Sequence, residues 1–320
     1  MRRGLMLLFA VVGLSAFCQS QSSHLLSPAL ERLRQQAENG DVAAQLKFGY
    51  ALSKGIGVAR DDVAAAHWFR KAADRGEPVA QSQLAYLYVQ GRGVEQSDAE
   101  AFKWFQRAAA YGDPNAQYNL AVMYLSGAGT RPDSKAAFEW FSRATKQNYA
   151  PAFSGLARLY LHGTGTDKNE AMAFKLYLKA AHKDVRNAQE AVAWMLSSGR
   201  GTAPNLPEAV KWDLKAANAG SLTAENNLGY LYEHGGPGLP QNLTESARWY
   251  RMAADAEYPA AEYNLAILYR EGRGVPQDLR ESQRLNALAV AHGFRLPTDP
   301  ASGQSVETAS LKESPANPPK

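Results

Sequence analysis

The sequence predicts an all-α protein, a right-handed superhelical stack of about seven helix-turn-helix units, and three recurring registers carry that prediction. Trp68, Trp104, Trp140, Leu176 and Trp212 stand 36 residues apart and are followed by Trp249 and Leu285. Gly55, Gly91, Gly127, Gly163, Gly199 and Gly235 keep the same interval, and the next in line, Gly272, comes 37 residues later. Alanine repeats in step at Ala44, Ala80, Ala116, Ala152, Ala188, Ala224 and Ala261. One insertion accounts for the single shift, because Gly199-Arg200-Gly201 becomes Gly235-Gly236-Pro237-Gly238 in the sixth unit.

Within a unit, apolar spacing separates two helices. Ala80, Leu84, Ala85 and Tyr88 form one helical stripe of the second unit, and Ala101, Trp104, Phe105 and Ala108 form the next, after the turn Gly91-Arg92-Gly93-Val94. The second helix of each unit opens at Asp61, Ser97, Asp133, Asn169, Asn205, Asn242 or Asp278, short polar residues that accept bonds from free N–H groups at a helix start. Glu100, Glu208, Glu245 and Glu281, three residues on, extend this to an expected capping box in four units. Second helices end at Gly40, Gly76, Gly112, Asn148, Asp184 and Gly220, which tolerate the left-handed conformation, whereas Glu257 breaks the pattern. A further helix is expected over residues 25 to 39, with Ser27 as cap, Pro28 as first helical residue, and Leu30, Leu33 and Ala37 covering the first unit.

At these positions the chain resembles the Sel-one-like repeat (SLR) proteins, a branch of the tetratricopeptide (TPR)-type α/α solenoids. The third unit shows the pattern in Gly112-Asp113, Ala116-Gln117, Leu120-Ala121, Tyr124, Gly127-Ala128-Gly129, Asp133, Ala137 and Trp140-Phe141. Two units depart from it. The fifth has Leu196 for the tyrosine and Asp213 for the second aromatic, and the last has Leu285-Asn286 for the aromatic pair. The resemblance implies a repeat domain over residues 38–296 and a concave face lined by the first helix of each unit. Carried over residue by residue, it puts Tyr50, Tyr86, Tyr118, Val122, Arg158, Trp194, Tyr230 and Tyr263 on that face, with Ser82 and Leu161 nearby. So many aromatic and apolar side chains exceed what a solvated face needs and suit a partner-binding surface. Tyr86, Val122, Arg158, Trp194 and Tyr230 occupy one register in five consecutive units and are expected to form a ridge.

The flanks read differently. Arg2-Arg3, an apolar run from Leu5 to Leu14 and Ser15-Ala16-Phe17-Cys18 form an expected export signal over residues 1–18. Cys18, the only cysteine, has Phe17 and Ser15 where a lipoprotein signal would carry a small residue and leucine, so simple cleavage is favoured over a lipid anchor. Repeats without cysteine gain no disulfide, and their stability is expected to come from stacking. Residues 297–320, rich in Pro, Ser, Thr, Asn and Lys, read as a disordered tail.

Composition and motifs argue against several chemistries. Without Arg2 and Arg3 the chain holds 33 basic and 31 acidic residues, a balance that argues against a nucleic-acid partner. The six histidines include no pair four residues apart, and His162 and His234 share a register two units apart, so no metal is expected. None of the Gly-x-Gly turns continues as Gly-Lys-Ser/Thr, and no serine has a lysine three residues later. No catalytic residue and no cofactor is assigned. The expected function is a non-catalytic scaffold of the bacterial cell envelope, periplasmic or secreted, that binds a protein or peptide segment. It would meet a membrane only if Cys18 were lipidated. The alternative is an envelope hydrolase, or a glycan- or β-lactam-handling protein, with an unrecognised groove site.

Overall fold

The computed structural model describes residues 27–295, so the expected export signal, Cys18 and the expected disordered tail lie outside the described residues. The chain divides into two compact units, up to Asp113 and from Pro114. In the first, α1 (Pro28–Glu38) precedes the pairs α2 (Val42–Lys54) with α3 (Asp62–Asp74) and α4 (Pro78–Gln90) with α5 (Asp98–Ala110). In the second stand five pairs: α6 (Pro114–Ser126) with α7 (Ser134–Lys146), α8 (Ala150–His162) with α9 (Glu170–Ala181), α10 (Arg186–Ser198) with α11 (Leu206–Asn218), α12 (Leu222–His234) with α13 (Leu243–Asp255), and α14 (Pro259–Glu271) with α15 (Leu279–Ala291). Among the described residues there is no sheet, and the architecture is the expected all-α solenoid of helix-turn-helix repeats. In each unit every pair packs most heavily within itself, and each second helix also packs on the next first helix.

Small residues make this stacking possible. Ala80, Ala85, Ala101 and Ala108 are fully buried in the first unit, as are Ala152, Ala157, Ala173 and Ala180 in the second. The glutamine after the recurrent alanine ties helices together. Gln45, Gln81 and Gln189 donate from Nε2 to the carbonyls of Ala37, Ala73 and Ala181 at the end of the preceding helix. The N-terminal helix α1 opens at Ser27. Ser27 Oγ accepts from the Leu30 N–H at 3.2 Å, and Leu30 and Ala37 are buried.

All seven cap residues of the second helices accept backbone N–H bonds at the helix start. The expected capping boxes are only half present. Each cap N–H is already donated to a carbonyl of the preceding helix, as from Ser97 to Tyr88 and from Asn205 to Leu196. The four glutamates turn instead to bases three residues on, Glu100 to Lys103, Glu208 to Lys211, Glu245 to Arg248 and Glu281 to Arg284.

The second glycine of the turn has a separate role. At Gly93, Gly165, Gly201 and Gly274 the backbone is left-handed, and an added Cβ would collide with the carbonyl of Asp62, Ser134, Glu170 or Leu243, the first helical residue of the preceding pair's second helix. Consecutive pairs thus meet there backbone to backbone. The insertion in the sixth pair is absorbed locally by two backbone bonds between Gly236 and Leu239, with the Leu239 side chain buried.

Glu257 conforms to the helix-end rule despite its side chain. It adopts φ 59°, and its N–H donates to the Ala254 carbonyl while that of Tyr258 reaches Ala253. Holding an L-residue left-handed costs about 1 kcal/mol, and a glycine returns part of that as unfolded-state entropy. Glu257→Gly is expected to stabilise the protein by about 0.5–1 kcal/mol, read as a higher urea midpoint at unchanged slope.

Candidate functional site

In each of the two units the first helices rest on buried side chains from the second helices. Phe69, Phe105, Phe141, Tyr177 and Tyr250 are all buried in equivalent registers. Three expected binding residues sit on these side chains. Tyr50 meets Phe69 at 5.4 Å between centroids, Tyr86 meets Phe105 at 5.2 Å, both edge to face, and Tyr118 meets Phe141 at 5.5 Å. Such contacts hold one part of a ring in the core and leave the rest accessible. Burial, followed by the carboxylates of Glu77 and Asp113, raises the pKa of the Tyr50 hydroxyl.

The other candidates are likewise half-buried. Val122 packs on the core of the second unit, Tyr230 lies 4.1 Å from the His234 ring, and Tyr263 stacks on Phe294 at 4.7 Å. Arg158 is half-buried on α8 in the Val122 register. Two neighbours named with them are not available. Leu161 is buried, and Ser82 is buried because its hydroxyl bonds Asp113. The Ser82 register ties one first helix to the next. In the second unit Ser154 reaches Asn187, Glu190 accepts from the Ser221 hydroxyl at 2.6 Å, and Asn264 donates to Asn226.

Among the eight, Trp194 and Tyr230 line one small cleft together with Ser197, Asp213, Asn227 and Leu231. Its origin is the fifth pair's break in the aromatic row. Asp213 stands where five of the other pairs put a ring, and the carboxylate fills less space. The side chain is 2% exposed, Asn227 is a hydrogen-bond partner, and Asp213 Oδ1 has none. Asn227 Oδ1 is also buried without a partner. Burial, and then the negative charge of Glu190, pushes the Asp213 carboxyl well above the ordinary carboxylate range, while burial raises Glu190 itself. Trp194 is held by Arg200, whose guanidinium lies 4.7 Å from the ring centroid and pairs with Glu170 at 2.7 Å. Asp213 was visible in the sequence only as a departure from pattern, and its role as the floor of the cleft depends on the helices around it.

The second helices carry a further feature that residue spacing also allows. In four of the five second-helix tryptophans a base three residues on covers the ring, with Lys71 on Trp68 at 4.6 Å, Arg107 on Trp104 at 4.6 Å, Arg143 on Trp140 at 4.2 Å and Lys215 on Trp212 at 4.2 Å. These cations shield the indoles from water and belong to packing.

The Sel1 repeat model matches seven successive segments, residues 42–77, 78–113, 114–149, 154–185, 186–221, 222–258 and 259–294. Among solved structures, a protective antigen of uropathogenic Escherichia coli strains displaying an SLR fold is 28% identical at a TM-score of 0.68, over 83% of this chain and 64% of its own. A Sel1 repeat protein from Oxalobacter formigenes is 28% identical at a TM-score of 0.65, over 83% of this chain and 76% of its own. The chain therefore spans just under two thirds of the Escherichia coli protein. No curated protein matches at a significant level. Seven matched repeats in register with seven helix pairs place the chain in the Sel1 repeat family.

Proposed function

We propose that the protein is a non-catalytic scaffold of the bacterial cell envelope that holds a protein or peptide segment along its first-helix face. Membership in a family of protein-interaction repeats supports the general class. The observation that carries the reading is the half-buried state of all eight candidate side chains, five of them tyrosines and one a tryptophan. A ring anchored on one side loses little freedom when a partner covers the other. Placement in the periplasm or outside the cell is supported by the character of residues 1–18, and the Escherichia coli relative's description as a protective antigen agrees with an exported protein. Mass spectrometry of the native N-terminus decides it: a chain beginning at Gln19 or Gln21 agrees, and a diacylated Cys18 points to a membrane tether instead.

The binding test begins with a photo-crosslinking residue in place of Val89, an exposed position on α4, to capture and identify the partner in intact cells. Against that partner, Tyr86→Ala or Trp194→Ala is expected to cost about 2 kcal/mol of affinity, while Lys103→Ala, on a second helix, costs almost nothing. Melting curves provide the control. A Trp194→Ala protein that melts far below wild type, or that binds unchanged, removes Trp194 from the binding face.

A further inference from the structure

The cleft between α10, α11 and α12 differs from the rest of the first-helix face in having a buried acid at its base. Two oxygens there, Asp213 Oδ1 and Asn227 Oδ1, are buried and lack a donor. Buried acceptors left unpaired are costly, and two lining one opening call for a group that brings several donors. Glu190, close enough to act on Asp213 through its charge, adds to the negative potential. Trp194 and Tyr230 supply aromatic surface beside the acid.

The geometry points to this cleft as an anchoring site for the ammonium group of a lysine side chain on the partner segment, with Asp213 as counter-ion, Asn227 as second acceptor, and Trp194 and Tyr230 as walls. It deepens the scaffold reading and rests on it. An ammonium is a compact charge with three donors, enough for both orphan oxygens with one to spare for solvent or a wall carbonyl. A compact ammonium needs less room than the planar fork of a guanidinium, which suits a small cleft. The four methylenes of a lysine stem would lie along the rings of Trp194 and Tyr230, where a cation also gains from the ring faces. Burial and the Glu190 charge disfavour an ionised Asp213 in the empty protein, and an ammonium supplies the positive charge that the site lacks.

The test uses the full chain and three small probes, the Nα-acetyl methylamides of lysine, arginine and norleucine, followed through the indole N–H resonance of Trp194 in nitrogen-15 spectra. That resonance is assigned with Trp194→Phe. The lysine probe is expected to shift it saturably, and the norleucine and arginine probes to bind at least about tenfold more weakly. Asp213→Asn should lose a similar factor, and Asp213→Phe, which fills the cleft, should abolish the shift while keeping the helical circular dichroism and a melting temperature no lower than wild type. Norleucine binding as well as lysine, or Asp213→Asn binding lysine as wild type does, overturns the assignment and leaves the cleft a water-filled gap. The captured partner separates this failure from that of the broader reading. Binding weakened by Tyr86→Ala but untouched by Asp213→Phe keeps the scaffold and removes the lysine anchor, and binding indifferent to both removes the scaffold reading.

Discussion

Gly201→Ala is expected to destabilise the protein by about 4 kcal/mol, a loss reserved for changes that force a structure apart. Two costs add. The residue is left-handed at φ 69°, which a side chain resists by about 1–2 kcal/mol. The new methyl would also overlap the Glu170 carbonyl, and neither backbone can retreat without separating two helix pairs. Gly220→Ala is the control. That glycine is also left-handed, at φ 79°, but has nothing within 4 Å of an added Cβ, so only the conformational cost of about 1 kcal/mol applies. Urea denaturation of the two variants measures the difference. Equal losses would mean that the close approach of adjacent pairs contributes little.

Asp213→Phe is expected to act in the opposite direction, stabilising by about 2–3 kcal/mol at neutral pH. Burying a phenyl ring contributes about 2 kcal/mol, and removing a buried carboxyl with an unpaired oxygen about 1 more. A ring is accommodated at this register elsewhere, where Ala85 and Ala121, equivalent to Ala193, belong to the pairs whose second helices carry Phe105 and Phe141. The advantage depends on pH. In the unfolded chain the carboxyl ionises near pH 4, while in the folded protein its pKa is raised. The stability associated with this group is therefore fully present below the unfolded pKa and is lost as pH rises towards the folded one. Relative to wild type, the variant should gain more at pH 7.5 than at pH 4. A gap between the two denaturation curves that stays constant with pH would show that Asp213 titrates normally. If the cleft is a lysine anchor, the same substitution trades binding for stability, as filling a functional gap commonly does.

The repeat array was legible because its determinants are local and redundant. Seven cap residues, the paired glycines and the alanines each specify a conformation or an approach distance by residue type, and each is stated seven times over. The capping boxes were half wrong for the same reason that the caps were right. Residue spacing shows that Glu100 can reach back to Ser97, but not that the Ser97 N–H is already taken by Tyr88 from the helix before. Glu257 shows the converse, since packing imposes a left-handed residue where local preference would not choose one. The candidate face was legible as a register on the first helices, and the burial of Ser82 was not, because its partner Asp113 lies 31 residues away. Asp213 needed most from the structure. A missing aromatic in a repeat is a degenerate position on paper, and becomes a buried acid beneath Trp194 and Tyr230 only when three helices are placed around it.

The contact at the second glycine has a bearing on how such a chain can grow. Gly93, Gly165, Gly201 and Gly274 each approach a main-chain oxygen, and the residues that own those oxygens are Asp62, Ser134, Glu170 and Leu243, four different side chains. This backbone contact is thus indifferent to which side chain the neighbour carries there. The hydrogen bonds that close each turn run within one pair, from the cap to the helix just before it. A segment duplicated or lost in whole-repeat steps carries its own turn bonds and finds a serviceable socket wherever it lands. Copy number can drift by unequal recombination without compensating substitutions at the new border, and the first-helix surface is lengthened or shortened one pair at a time.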